Sequence, residues 1–262
     1  MTDPHPQERR RRRLREQPVS RLFPNMVTLA GLCCGLSAIR FAMTEHWEMA
    51  VAFILAAALI DGMDGRIARM LGATSLFGAQ LDSLSDFLCF GISPALVLYM
   101  WQLHEIQGIG WAVVLFFAVC TALRLARFNT GLFDDGKEPW EKQFFVGVPS
   151  PAGGILSLLP LIISLQFGQG AALVPAVTAC HMLLVGTLMA SRIPTYAGKH
   201  IRIPHEHIPQ FMIACSLALV LFIIEPWLFL SGLSLVYLGS IYFSVRKWRL
   251  LKGASKKSQT AE

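Results

Sequence analysis

The sequence predicts an all-α integral membrane protein of about eight transmembrane helices, and three observations predict it. More than half of the 262 residues are apolar and only 15% are charged, against about a quarter in ordinary soluble domains. The apolar residues fall in runs of about 16–22 with few charges, the length that crosses the hydrocarbon core of a bilayer. Lys and Arg alternate sides: the short connections near Glu45, Glu105, Gln169 and Glu225 hold none, while the opposite connections and both ends hold all but Arg40.

In chain order, residues 1–22 form a polar arm in which Arg9 to Arg13 and Arg15 make a polybasic run. Such a run beside a first apolar segment acts as a topogenic, anionic-lipid-binding element. The net charge of +6 is spread over ends and loops with no soluble domain to carry it, which argues against a nucleic-acid partner. No small-x-small cleavage site follows, so the first apolar run reads as a retained span. Span one covers Val27 to Met43 after Pro24-Asn25, span two Glu48 to Arg69, and span three Leu76 to Trp101 with a kink at Pro94. Span four covers Ile106 to Arg127, and a polar loop with Asp134, Asp135, Gly136 and Lys137 follows. Spans five (Pro151 to Gln166) and six (Ala171 to Ala190) lead to a basic loop, Ser191 to His207. Spans seven (Pro209 to Ile224) and eight (Trp227 to Phe243) come last. The chain thus divides into the arm at 1–22, one membrane domain at 23–245 and a basic tail at 246–262. The positive-inside rule puts both ends and the long loops on the cytoplasmic side of the inner membrane, with Arg40 snorkelling to the outer interface. Cys33, Cys34, Cys89, Cys120, Cys180 and Cys215 all lie in apolar segments without a CxxC spacing, which supports neither disulfides nor a zinc site.

The chemistry gathers in Asp61-x-x-Asp64-Gly65-x-x-Ala68-Arg69, eight residues, then Gly78-x-x-x-Asp82-x-x-x-Asp86. On helices both aspartate pairs share a face, with Cβ atoms roughly 5–6 Å apart. Two such helices, antiparallel around Gly72-Ala73-Thr74, aim four carboxylates into one pocket, where they repel unless cations lie between them. Oxygen ligands without His or Cys point to Mg2+ or Mn2+, and a pair of such ions suits phosphoryl transfer. Asp61, Asp64 and Asp82 are the first-choice ligands. Asp86, one turn deeper, is placed to take a proton from an attacking hydroxyl and also to touch a metal. Gly65, Ala68 and Gly78 let a helix or a nucleotide approach the backbone closely. Arg69 presents its planar fork to a diphosphate, Ser75 opens the next helix as an N-cap or a phosphate ligand, and Arg66 reads as a topogenic charge. Arg124 and Arg127 share a face at the end of span four and suit a carboxylate or a phosphate, with membrane anchoring as the other reading.

This eight-position pattern resembles the signature of the CDP-alcohol phosphotransferase (phosphatidyltransferase) family, complete at every defining position. The resemblance implies that family's helical bundle, metals on the aspartates with the last as general base, and a homodimer. It implies a CDP pocket bordered by Pro24, Asn25, Met26 and Val27, with Gly65, Arg69, Ser75 and Gly78. The implied reaction moves a phosphatidyl-type group from a CDP-activated lipid to an alcohol, or a head group from a CDP-alcohol to a lipid, releasing CMP.

Three further strings are similar to the membrane-type bacterial phosphatidylserine synthases: Arg124-Leu125-Ala126-Arg127-Phe128-Asn129, Phe145-x-Gly147-x-Pro149-x-Pro151-Ala152, and Ser191-Arg192-Ile193-Pro194-Thr195-Tyr196. They imply CDP-diacylglycerol as donor and L-serine as acceptor, with Arg124, Arg127, Asn129 and Arg192 on the acceptor or lipid head group. Glycerol phosphate or inositol phosphate as acceptor keeps the same chemistry. A cation-coupled transporter is the reading from another class, but carriers show repeats that this chain lacks. His205-Glu206-His207 diverge on a helix and sit between Pro204 and Pro209, so they read as loop, and His181 reads as a hydrogen-bonded core residue.

Overall fold

The computed structural model describes residues 23–70, 72, 75–131, 144–168, 174–196 and 207–259. The polybasic arm, Ala73 and Thr74 of the expected turn, the loop with Asp134 to Lys137, and His205-Glu206 lie outside the described residues. Helix α1 (Phe23–Met43) carries proline in its first turn, where a missing N–H is tolerated. Its buried residues, Pro24, Thr28, Gly31, Gly35, Ala38 and Ala42, recur every three or four positions and make a stripe of small side chains. Helix α2 (Trp47–Met70) lies along that stripe: a Cβ on Gly31 would stand 3.3 Å from Ile60 Cγ2. Small residues let two backbones approach where lipid gives no hydrophobic drive.

The third span is α3 (Leu76–Asp86), a π-helical turn (Phe87–Ile92) and α4 (Ser93–Trp101). The irregularity expected at Pro94 takes the form of this wider turn just before it. Pro94 cannot donate to the carbonyl one turn back, and the Ser93 amide reaches five residues back to Leu88 O. The wider turn has a packing consequence. Ser85 Oγ, Cys89 Sγ and Ser93 Oγ donate to the carbonyls of Thr28 (3.4 Å), Gly31 (3.3 Å) and Gly35 (2.9 Å) on α1. In a regular helix, residues eight apart drift by about 80°; the π turn takes up the drift and keeps all three facing α1.

A 3-10 turn (Leu103–Ile106) leads into α5 (Gln107–Gly131). Strand β1 (Phe144–Val146), helices α6 (Ser150–Ser157), α7 (Leu159–Phe167) and α8 (Pro175–Ala190), strand β2 (Pro194–Tyr196), α9 (Ile208–Ile224) and α10 (Pro226–Gln259) complete the order. The core joins these elements through fully buried Ile54, Leu98, Phe117, Ile162 and Met182.

Two features correct the expectation of plain spans joined by loops. The fifth span is broken at Leu158 into α6 and α7, bent by 43°. Pro160 has no amide for the Leu156 carbonyl, and the His181 ring, at Nε2, takes that carbonyl at 2.8 Å. The expected core histidine therefore satisfies a group that a proline left open. Secondly, the chain is not purely helical: β1 and β2 pair antiparallel, Phe144 opposite Tyr196, Phe145 opposite Thr195 and Val146 opposite Pro194.

Among the described residues, four helical segments are long and apolar enough to cross a membrane: Phe23–Met43, Leu76–Trp101, Leu103–Thr130 and Pro226–Arg249. The bent α6–α7 pair makes a fifth, and α8 and α9 are shorter apolar helices. Helix α2 falls outside this set because Asp61, Asp64, Arg66 and Arg69 crowd its last turns. The chain is a multi-pass membrane protein. Helix α10 continues without a break through Arg246 to Gln259, so the basic tail begins as part of the last helix.

Candidate active site

The end of α2 and the whole of α3 bring the aspartates together. One carboxylate oxygen from each of Asp61, Asp64 and Asp82 lies within 4.8 Å of the other two. Asp64 is 6% exposed, and the other three aspartates are partly buried. Asp86 sits one turn beyond Asp82, and its carboxyl is in hydrogen-bond contact with that of Asp61. Carboxyls so close require a proton or a cation between them. A donor set of oxygens alone, three within one ion's reach and a fourth adjoining, fits a divalent metal ion. Thr28 orients part of it: its Oγ1 donates to Asp64 Oδ2 at 2.8 Å. Sequence reading stopped one residue short of Thr28, although its four-residue spacing from Pro24 puts it on the same buried face.

On the expected nucleotide side, the two glycines serve different ends. Among the described residues, a Cβ on Gly65 would meet nothing within 4 Å except Arg69 Nη1 at 4.0 Å, so none of the described helices packs there. A Cβ on Gly78 would stand 3.0 Å from Asn25 Oδ1 and 3.2 Å from Ser75 Oγ, so glycine lets the Asn25 side chain lie across the start of α3. Ser75 is the N-cap of α3, its Oγ accepting from Gly78 N at 3.0 Å. Arg69 is exposed and reaches back beside Gly65. Pro24 is buried and Asn25 and Val27 are partly so, while Met26 is 65% exposed on the side of α1 away from Pro24 and Thr28.

The expected acceptor residues come from a different part of the chain, the end of α5 and the connection after α8. Arg124 of α5 donates from Nη1 to Ser150 Oγ at the start of α6, and its guanidinium carbon lies 5.6 Å from the centre of the Phe128 ring. Asp86 and then Asp61 are the acidic groups it senses most. Arg127 faces another partner, donating from Nη1 to the carbonyls of Ala190 (2.8 Å) and Ser191 (3.1 Å), the C-terminal end of α8. The two arginines share a helix face as expected, yet they do not form one fork. Asn129 donates from Nδ2 to Ser83 Oγ at 3.0 Å and so ties the end of α5 to the residue beside Asp82. Arg192 is exposed on the connection between α8 and β2.

Two of the three strings singled out in the sequence prove to be partners. Phe145 lies in β1 opposite Thr195 in β2, and Thr195 Oγ1 donates to Gly147 O at 2.8 Å. Gly147 has φ +80°, and a Cβ there would stand 2.7 Å from Met189 O and 2.9 Å from Ser191 O. Only glycine passes so close to the end of α8 in that conformation. Ser150 carried no signal as a partner of Arg124, because 26 residues separate them.

A family model described as CDP-alcohol phosphatidyltransferase matches residues 21–192, and a second, CDP-alcohol phosphatidyltransferase 2, matches residues 210–241. The chain is 39% identical over 236 residues to a protein of Mycobacterium leprae named CDP-diacylglycerol–serine O-phosphatidyltransferase, covering 88% of this chain and 76% of the relative. Proteins of the same name from Helicobacter pylori and Methanocaldococcus jannaschii are each 33% identical, over 66% of this chain and 70% and 74% of their own lengths.

Proposed function

Because the chain belongs to the CDP-alcohol phosphatidyltransferase family, we propose that it transfers the phosphatidyl group of CDP-diacylglycerol to the hydroxyl of L-serine, giving phosphatidylserine and CMP. The observation that carries the serine assignment is Arg124, a cation fixed by Ser150 and Phe128 beside the aspartate cluster. An acceptor with both a carboxylate and a hydroxyl fits between them. The names of the relatives agree.

Asp61, Asp64, Asp82 and Asp86 would hold divalent ions, Mg2+ or Mn2+ and two in number, which neutralise diphosphate oxygens and stabilise the departing CMP. The chain's own residues do the rest. Asn25 and Gly78 border the cytidine, Pro24 and Val27 support that wall, and Met26 contributes through its backbone. Gly65 leaves the backbone of α2 open to the diphosphate, Arg69 binds it, and Ser75 holds the start of α3 in place. Thr28 keeps Asp64 turned inward. The serine Oγ attacks the phosphorus on the lipid side, its proton passes to Asp86, and the bond from phosphorus to the CMP oxygen breaks. Arg124 binds the serine carboxylate, Asn129 positions α3 through Ser83, and Arg127 holds the end of α8 that carries Arg192 toward the lipid phosphate.

The chain crosses the inner membrane eight times, α2, α8 and α9 included, since 16 or 17 apolar residues span about 25 Å of the core. The positive charge of the loops on one side supports a cytoplasmic location for both ends and the site. A homodimer is the assembly that family resemblance supports. The decisive experiment supplies membranes containing the protein with CDP-diacylglycerol, Mg2+ or Mn2+, and serine, glycerol phosphate or inositol phosphate in turn. CMP release with serine alone is expected. Release with a phosphate-bearing acceptor and none with serine overturns the acceptor, and release with none returns the transporter reading.

A further inference from the structure

The π turn at Phe87–Ile92 starts at the residue after Asp86, and three other helices press on it at backbone distance. From α1, a Cβ on Gly35 would stand 2.7 Å from Cys89 Sγ and 3.1 Å from Cys89 Cα. From α6, a Cβ on Gly154 would stand 3.0 Å from Phe90 Cα and 3.2 Å from Phe90 O. From α5, Thr121 comes so near Gly91 that a Cβ there would stand 3.0 Å from its Cγ2. Cys89, Phe90 and Gly91 are all buried. Pro94 explains why the helix loosens here, since its missing amide leaves a carbonyl open one turn back. It does not explain a wide turn in place of a simple kink. The wide turn is the shape that α1, α5 and α6 enclose.

What the turn achieves is a change of rotation. Ahead of it, Asp82 meets Asp61 and Asp64, and Asp86 follows four residues later on the same face of α3. Beyond it, Ser93 is fully buried and its Oγ donates to Gly35 O at 2.9 Å. Ser85, beside Asp86, donates at 3.4 Å to Thr28 O on the same helix α1. Residues eight apart in a regular helix drift by about 80°. With Ser93 on Gly35, a regular helix would therefore turn Asp86 by that angle. A carboxyl about 5–6 Å from the helix axis then moves by about 7 Å, out of reach of Asp61. The wider turn reconciles the two contacts, and the Ser93 hydroxyl is the hydrogen bond that pins its far end to α1.

We propose that Ser93 is a positioning residue for Asp86: its bond to Gly35 O holds the π turn, and so sets the rotation of α3 that aims the Asp86 carboxyl. The inference rests on Asp86 being the base of the proposed transfer and adds what orients it. Ser93 lies seven residues, about 10 Å, further along the span and acts only through the helix between them.

The test measures CMP release by the full-length protein in membranes, with CDP-diacylglycerol, divalent metal and whichever acceptor supports the reaction. Ser93→Ala removes one oxygen and should lower kcat about ten- to hundred-fold, the weight of a misplacement of about 1 Å. KM for donor and acceptor and the unfolding temperature should stay as in the unaltered protein. Ser93→Cys keeps a donor, as Cys89 does toward Gly31 O at 3.3 Å, and should restore kcat to within a few-fold. In an Asp86→Asn background, Ser93→Ala should cost nothing further, because the group it positions is gone. An unchanged kcat in Ser93→Ala, a full further loss in the double variant, or Ser93→Cys as slow as Ser93→Ala overturns the proposal. So does a variant that fails to fold, or that loses kcat together with unfolding temperature, for the hydroxyl then serves the fold alone. No release with any acceptor, or Asp86→Asn as active as the unaltered protein, fails the functional reading first and takes this inference with it. An inactive Asp86→Asn beside a fully active Ser93→Ala sinks this inference alone.

Discussion

The two halves of the proposed site, one for the donor and one for the acceptor, are built differently. The donor half consists of α1, α2 and α3, consecutive in the chain, zipped by small residues and by the Ser85–Cys89–Ser93 ladder onto α1 carbonyls. Three of its carboxylates come within 4.8 Å of one another, and the Thr28 hydroxyl orients one of them. In the proposed acceptor half, Arg124 and Arg127 of α5 meet Ser150 of α6 and the end of α8, up to 64 positions away in the chain. Its cations are already engaged by protein: Arg124 by Ser150, Arg127 by the end of α8. The contrast has a chemical sense. Cleaving a diphosphate needs charges clustered at one point, which two adjacent helical turns supply. Recognising one acceptor needs donors held at fixed angles, which takes distant elements locked against each other.

Three substitutions would break or sharpen this division. Asp86→Asn, at the seam, should abolish the reaction with every acceptor, lowering kcat about a thousand-fold in CMP release while donor binding persists. Residual activity within a few-fold of the unaltered protein would remove Asp86 from its role as base. Arg124→Lys keeps the charge but loses the planar fork. Serine kcat/KM should then fall about ten- to hundred-fold with donor KM unchanged; equal loss for both substrates would dissolve the boundary between the halves. Thr28→Val acts on the donor half alone, freeing Asp64 from its hydroxyl partner. The Mg2+ or Mn2+ concentration for half-maximal rate should rise about ten-fold, with full rate restored at high metal and serine KM unmoved. A metal titration identical to that of the unaltered protein would reduce Thr28 to helix packing.

Legibility followed the same division. Asp61, Asp64, Asp82, Gly78 and Ser75 are where local spacing puts them, because helical periodicity within one helix pair leaves few alternatives. Gly65 resolved in favour of an open face, since nothing among the described residues packs on it. The Pro94 irregularity was foreseen in place but not in kind, for the π turn answers to the carbonyls of α1 as much as to the proline. The 43° break at Leu158 needed His181, 23 positions on from it, to satisfy Leu156 O. Pairing of β1 with β2 had no signal at all: each strand is three residues long, too short for an alternating pattern.

By itself, then, the sequence determined that the chain is a helical membrane protein and that four carboxylates meet at one helix pair, because both follow from hydropathy and from a repeat of about 3.6 residues per turn. Only the tertiary structure decided that Arg124 and Arg127 take separate partners and that Thr28 serves Asp64. Those relations depend on which helices lie side by side. Packing between distant segments settles that, and no local spacing encodes it.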